Sequence, residues 1–310
     1  MTQGSIRIGV DLGGTKTEVI ALDASGNVLL RRRVPTPAED YRAILHTVAA
    51  LVREVEHSLQ RKGTVGLGTP GSVSRATGLL RGSNSVCLNG KPLQKDLEAI
   101  LARPIVLTND ANCFALSESA DGAGAGAAVM FGVILGTGVG SGVVVHGHVL
   151  DGPNGIAGEW GHNPLPWPRD DERPGAPCFC GRSGCIETFV SGRGFERDHC
   201  EHGGEALAGP AIVAGALAGD SACAATLDRY EHRLARALAH VINILDPDVI
   251  VLGGGMSNID RLYTRVPPLL VSWVFSDRID TRIVQHRHGD SSGVRGAAWL
   301  GGQTLAASGV

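Results

Sequence analysis

The chain has 310 residues, with 28 Lys or Arg against 31 Asp or Glu and a formal charge of −3. That near balance excludes a broad cationic face for a nucleic-acid backbone or an anionic lipid surface, and at roughly 100 to 200 residues per domain the length favours two domains. Its 44 glycines sit beside apolar runs without a G-X-Y period, which excludes collagen and fits a globular α/β chain with many tight turns.

The N-terminus lacks a basic region followed by an apolar stretch and a cleavage site, so the expected location is the cytoplasm. I6-R-I-G-V10 reads as a strand, with V19-I-A-L22 returning across D11-L-G-G-T-K-T, and a second hairpin ends with Val28 to Leu30. From Tyr41, apolar residues at 44, 45, 48, 51, 52, 55 and 59 trace one face of a helix. Val65 to Leu67 is a strand broken by Gly68-Thr69-Pro70-Gly71, and Pro92 opens a short helix carrying Leu93, Leu97, Ile100 and Leu101. Ile105 to Leu107 is a strand that delivers T108-N-D-A111 to its end, where open α/β sheets place their ligands.

The run from Gly122 to Val145 carries no charge and is long enough to raise a membrane span, but its dispersed glycines fit two buried strands around a turn. G9-V-D-L-G-G-T-K-T and G132-V-I-L-G-T-G-V-G both set an apolar strand before a glycine turn, the signature of a duplicated unit. The expected domains are residues 1–119 and 120–295. Periodicity is weak between Ala157 and Arg197. Leu227, Tyr230, Leu234, Leu238, Val241, Ile242 and Leu245 then mark a long helix ending at Asp246-Pro247. Val249 to Leu252 is a strand followed by G253-G-G-M256, and Trp299 and Leu300 lie in a terminal helix.

Neither D-L-G-G-T-K nor L-G-T-G-V-G-S-G matches the phosphate-loop or dinucleotide fingerprints, and each alone is equally a structural turn. Together they are expected to converge backbone N–H groups on a nucleotide triphosphate: Gly13, Gly14 and Thr15 from one side, Gly136, Thr137 and Gly138 from the other. Asp11 can hold the Mg²⁺ hydration shell and Lys16 can add charge, while Gly253, Gly254 and Gly255 allow close approach of adenine or ribose.

Asp110, at a strand end, can accept a substrate hydroxyl's proton as that oxygen attacks phosphorus; the competing role for N109-D-A-N is a helix cap or Asx turn. Glu159, His162 and Glu187 suit a polyol, with Asn84 and Asn109 as amide partners. Cys178, Cys180 and Cys185 lie within eight positions, and with His162 as fourth ligand they suit a closed tetrahedral Zn²⁺ site that fixes the His162 ring. Buried unliganded thiols or a redox pair are the alternatives.

D11-L-G-G-T-K16, N109-D-A-N112, L135-G-T-G-V-G140, G158-E-W-G-H162, C178-F-C-G-R-S-G-C-I-E187 and L252-G-G-G255 occur in an order that resembles the ROK family of sugar kinases and related repressors, especially its fructokinase or manno(fructo)kinase branch. The resemblance implies an actin-like ATPase (ribonuclease H-like) fold with two α/β domains around a cleft and a structural zinc site. It also implies ATP with Mg²⁺, phosphorylation of a hexose at its 6-hydroxyl, and a homodimer. On this chain it implies Asp110 as catalytic base and Asn84, Asn109, Glu159, His162 and Glu187 as sugar contacts, with a C-terminal segment from about Gly296 returning to the first domain. Ser141 stands where related sequences often carry glycine or alanine. A first strand near Ile6 leaves no room for an upstream DNA reader, which favours an enzyme over a nonenzymatic sugar-binding regulator. The segments N163-P-L-P-W167 and D290–W299 point to D-fructose, with mannose or glucose as secondary substrates and N-acetylglucosamine as the alternative.

Overall fold

A computed structural model describes residues 6–83 and 85–307. In chain order, β1 (Ile6–Leu12), β2 (Lys16–Leu22) and β3 (Val28–Pro35) precede α1 (Tyr41–Leu59), β4 (Gly63–Thr69), β5 (Ser72–Val73), β6 (Leu80–Arg81), α2 (Leu93–Leu101), β7 (Val106–Asn109) and α3 (Asp110–Ala120). Then come β8 (Val129–Leu135), β9 (Val139–Val145), β10 (His148–Val149), α4 (Ile186–Val190), α5 (Gly192–Glu201), α6 (Gly209–Leu217) and α7 (Ser221–Leu245). β11 (Val249–Gly253), α8 (Leu262–Leu270), β12 (Arg282–Gln285) and α9 (Ser292–Ala307) complete it.

Local chemistry sets the helix ends. The Asp40 carboxylate accepts the Arg42 and Ala43 N–H groups at 2.9 and 3.0 Å, satisfying donors that the first turn of α1 leaves unpaired. Gln60 closes that helix in the left-handed region. The expected apolar stripe is the buried face, with Ile44, Val48, Val52 and Val55 packed among Ile8, Val10 and Leu67 of the sheet. Burial of each such side chain contributes about 1.5–3 kcal/mol. α7 starts at Asp220, whose side chain accepts the Cys223 N–H at 2.8 Å, and stops at a left-handed Asp246 ahead of Pro247.

Two sheets share one strand order: β3-β2-β1-β4-β7 and β10-β9-β8-β11-β12. In the first, β1 pairs antiparallel with β2 and parallel with β4, which pairs parallel with β7. In the second, β11 runs parallel to both β8 and β12. This repeat realises the duplicated strand–turn–strand pattern of the sequence. The charge-free run at 122–145 is therefore β8 and β9. No single described helix is long and apolar enough to cross a membrane; α6 and α7 reach that length together but bend by 111° between them.

The chain divides into two compact units, residues 1–126, 142–157 and 288–310, and residues 127–141 and 158–287. These change over at 126/127 and 287/288, whereas the boundaries expected from the sequence are 119/120 and 295/296, and 142–157 belongs with the first unit. In that unit α9 lies across β1 and β4 and against α3. The approach is so close that a side chain at Gly9, Gly66 or Gly296 would collide with backbone of Val294, Ala297 or Cys113. Glu118 ties the end of α3 to the start of α9, accepting the Ala123 and His288 N–H groups at 2.9 and 3.1 Å and the Ser292 hydroxyl at 2.8 Å.

Candidate functional site

In the first unit the parallel strands end together. Asp11 lies opposite Gly68, and Thr69 lies opposite Asn109, so the carboxyl ends of β1, β4 and β7 bring Asp11, Asn109 and the start of α3 to one edge. The glycine turn there is tighter than the sequence suggests: β1 runs to Leu12 and β2 begins at Lys16, leaving only Gly13, Gly14 and Thr15 between them. The Gly13 N–H donates to Lys16 O at 3.1 Å, and the Thr36 hydroxyl donates to Gly13 O at 2.8 Å, which fixes the turn from β3's end. Thr15 and Lys16 face solvent.

Burial, then the charges of Asp110 and Glu18, push the Asp11 carboxyl up to about 6 against the opposing pull of Lys16 and Arg33. A side chain at Gly293 would come within 3.3 Å of the Asp11 carboxylate, so this acid is flanked by a residue that takes up no space. An acid raised by a second acid beside it suits a divalent cation, which lowers the cost of ionising it. Asp110 is exposed at the first position of α3 and accepts the Ala111 N–H at 2.9 Å. Asn109 is the helix cap, its side-chain oxygen accepting the Asn112 N–H at 2.7 Å, which leaves its amide nitrogen for a ligand. The cap role weighed for this tetrapeptide is thus taken by Asn109. Asn84 lies outside the described residues.

In the second unit, the turn Gly136–Gly138 closes with a Gly136 N–H bond to Gly138 O at 3.0 Å. Two bonds hold it from outside: the Gly192 N–H donates to Gly136 O at 2.8 Å, and the Val139 N–H donates to the Glu187 carboxylate at 2.8 Å. Gly254 packs on the backbone of Leu135, while Gly255 faces open space. Between this turn, α5, α6 and the Gly255–Ile259 segment lies a cavity of about 750 Å³. Val213, Pro210, Met256 and Ile259 give it apolar walls, and Arg193, Glu196 and Asn258 add polar groups. The size and mixed lining suit a nucleoside. Sequence reasoning misses these residues, which come from separate segments; the one local sign is Gly192, packed beside the Gly136 carbonyl.

Residues 158–162 pack beside the same turn. Ser141 donates its hydroxyl to the Gly158 carbonyl, which gives this departure from the family pattern a role in pinning the segment. Trp160 is buried, donates its indole N–H to Ala237 O at 3.1 Å and meets Phe131 edge-on. Glu159 is exposed, and His162 turns its Nδ1 toward Cys178 Sγ at 3.5 Å. The ligand atoms of His162, Cys178, Cys180 and Cys185 all lie within 4.8 Å of one another, with Cys180 and Cys185 sulfurs 3.6 Å apart. Ligand atoms on a tetrahedral Zn²⁺ with Zn–S near ~2.3 Å are about 3.8 Å apart, so the donor set fits that ion. Burial raises the Cys178 thiol and pushes Cys185 up to about 12, whereas the Arg182 N–H lowers Cys180. A bound cation is what would ionise the two raised thiols at neutral pH.

The ROK family model matches residues 7–304. The N-acetyl-D-glucosamine kinase of Pectobacterium atrosepticum is 42% identical over 296 residues, covering 94% of this chain and 97% of that protein. The ROK hexokinase structure of Thermus thermophilus aligns with a TM-score of 0.87 at 29% identity, covering 97% of this chain and 99% of that one. The ROK glucokinase of Streptomyces griseus, solved with glucose and AMPPNP, aligns with a TM-score of 0.75 at 26% identity, covering 96% and 100%.

These findings overturn the expectation of a fructokinase, because curated relatives over nearly the whole chain are N-acetyl-D-glucosamine kinases. The two segments that suggested fructose are occupied with packing. Leu165 is buried, Trp167 stacks on Trp273 and gives its carbonyl to Arg236, and residues 292–299 form the part of α9 laid on the sheet. Matched from end to end in sequence and in fold, the chain belongs to the ROK family of sugar kinases.

Proposed function

We propose that this chain transfers the γ-phosphoryl group of ATP to the 6-hydroxyl of N-acetyl-D-glucosamine. The observation that carries phosphoryl transfer is the edge at which β1, β4 and β7 end, with exposed Asp110 beside the raised carboxyl of Asp11. The acetamido sugar is supported by the names of the curated relatives, with the identity and coverage given above.

In this reading the Asp110 carboxylate accepts the proton of the sugar hydroxyl as that oxygen bonds to the γ-phosphorus, the bond from phosphorus to the bridging oxygen breaks, and ADP leaves. Glu159, His162, Glu187 and the amide nitrogen of Asn109 orient the sugar's hydroxyls. The N–H groups of Gly14 and Thr15, and of Thr137 and Gly138, receive phosphate oxygens on turns closed by the Gly13 and Gly136 N–H bonds, and the 750 Å³ cavity with Gly255 at its wall takes the nucleoside. Lys16 adds charge. Asp11 would hold Mg²⁺, which when bound with the nucleotide neutralises phosphate charge. His162, Cys178, Cys180 and Cys185 would hold a structural Zn²⁺, whose chemistry is confined to fixing the imidazole and its loop. The proposed assembly is a homodimer, testable by sedimentation. The proposed compartment is the cytoplasm, which ATP as donor and seven unpaired cysteines support.

A coupled ADP-release assay across N-acetylglucosamine, glucose, mannose and fructose tests this reading. The expected result is the highest kcat/KM with N-acetylglucosamine. A preference for glucose would move the substrate assignment, and absence of sugar-stimulated turnover in folded protein would remove the kinase reading.

A further inference from the structure

We propose that Glu187 is a positioning residue that mechanically couples the imidazole–thiolate cluster to the donor-phosphate turn, a role that rests on the nucleotide reading above and is separate from any contact with sugar. Glu187 sits on α4, two residues after Cys185, which caps that helix. Its Oε2 accepts the Val139 N–H at 2.8 Å, and a Cβ built at Gly138 would lie 2.7 Å from the same oxygen. The carboxylate therefore lies against the turn's backbone, in the space that a side chain at Gly138 would enter. Its Oε1 faces the Cys178 sulfur at 3.9 Å. One side chain thus touches the turn with one oxygen and a cluster ligand with the other.

The rest of α4 stiffens this connection. The Ile186 N–H donates to Asn163 O at 2.8 Å, anchoring the helix start to the residue after His162. At its other end the Gly192 N–H holds Gly136 O. Gly161 would have its Cβ 2.9 Å from Val139 O, so the segment that carries His162 presses on the same residue whose N–H Glu187 takes. The turn's amides can receive phosphate only while the turn keeps its shape. Glu187 takes the Val139 N–H and so fixes the residue that follows the turn, and the cluster sets where α4 starts. Loosening the cluster therefore loosens the turn.

The test is ADP binding by calorimetry without sugar, on metal-loaded wild-type protein and on Glu187→Ala and Glu187→Gln. The glutamine oxygen can still accept the Val139 N–H, so the expected ADP Kd rises about tenfold in Glu187→Ala, the size of one lost hydrogen bond, and less than about threefold in Glu187→Gln. Amide exchange at Val139 supplies a second readout that survives weak binding: it accelerates in Glu187→Ala and stays protected in Glu187→Gln. Chelator-stripped wild-type protein should show both the weaker ADP binding and the faster Val139 exchange, and stripping should add little to Glu187→Ala. Unchanged ADP affinity and Val139 exchange in Glu187→Ala would overturn the coupling alone. Failure of loaded wild-type protein to bind ADP at all would instead overturn the donor reading beneath it.

Discussion

The carboxylate of Glu172 receives the Arg236 guanidinium at 2.7 and 2.8 Å, with neither side chain more than 4% exposed. Arg233 bonds the same carboxylate at 2.9 Å and continues to Asp198 at 2.6 Å. These pairs fasten the irregular segment between His162 and Cys178 to α7. Removing one member leaves buried charge unmatched, so Glu172→Gln is expected to cost about 3–5 kcal/mol in urea unfolding.

The same pair sets an acid limit. Burial raises Glu172, but the bonds from Arg236, the Arg169 N–H and Arg233 outweigh it and hold the carboxyl at about 2. Its folded value lies below the unfolded one of 4.5, so its contribution is fully present above pH 4.5 and is lost as pH falls toward about 2. The stability gap between wild type and Glu172→Gln should therefore be flat at neutral pH and close in acid. A gap that does not change with pH would refute this.

Asp11 has the opposite sign. Its folded value of about 6 lies above the unfolded 3.8, so the ligand-free protein loses stability as pH rises from 3.8 to about 6 and carries a constant penalty above it. Asp11→Asn removes that penalty. The variant should be more stable than wild type at pH 8 by up to about 3 kcal/mol in metal-free buffer, yet nearly inactive with Mg²⁺ and ATP. Thermal melts and ADP release measured together check both halves.

Asp110→Asn keeps the size and helix-start geometry of the side chain but removes the proposed proton acceptor. Its kcat should fall by ~10²–10⁴-fold while the sugar KM moves much less, because the lost interaction belongs to the transition state. Steady-state kinetics with N-acetylglucosamine give both numbers, and a wild-type kcat would exclude Asp110 as the base.

Two neighbouring glycines should respond differently to alanine. Gly254 has a φ of 79° and would place a Cβ 2.5 Å from Leu135 O, so Gly254→Ala should lose about 1–3 kcal/mol. Gly255 meets nothing within 4 Å and lines the cavity, so Gly255→Ala should keep wild-type stability and raise the ATP KM. Equal melting temperatures for the two would contradict the placement.

The proposed Zn²⁺ site at His162, Cys178, Cys180 and Cys185 predicts about one Zn²⁺ per chain by elemental analysis. Cys180→Ser should lose most of it and lower the melting temperature, and chelation should make wild-type protein melt like the variant. A native chain without zinc that melts normally would leave the four side chains without the role given to them.

Much of the fold is legible in the sequence. Apolar residues every three to four positions made α1 and α7, and apolar runs ended by glycine made β1, β4, β8 and β11, because burial of one face is a local property of the pattern. The short helices α4, α5, α6 and α8 were not readable, since their stability comes from packing and their composition is rich in glycine, proline or polar residues. The cysteine cluster was legible because its ligands are close in the chain; the bond from Val139 to Glu187 was not, because 48 residues separate them.

Substrate choice marks the same divide. The residues alone established the family and the types of group available: acids at strand ends, an imidazole, amides and glycine turns. Those types suit many sugars, because a carboxylate or amide bonds a hydroxyl of any configuration. Which oxygen each group meets depends on where its strand or loop ends in space. The folded chain decides that, spending the Asn109 oxygen on a local helix cap and, through long-range contacts, an oxygen of Glu187 on a turn and the segments that suggested fructose on the packing of α7 and α9.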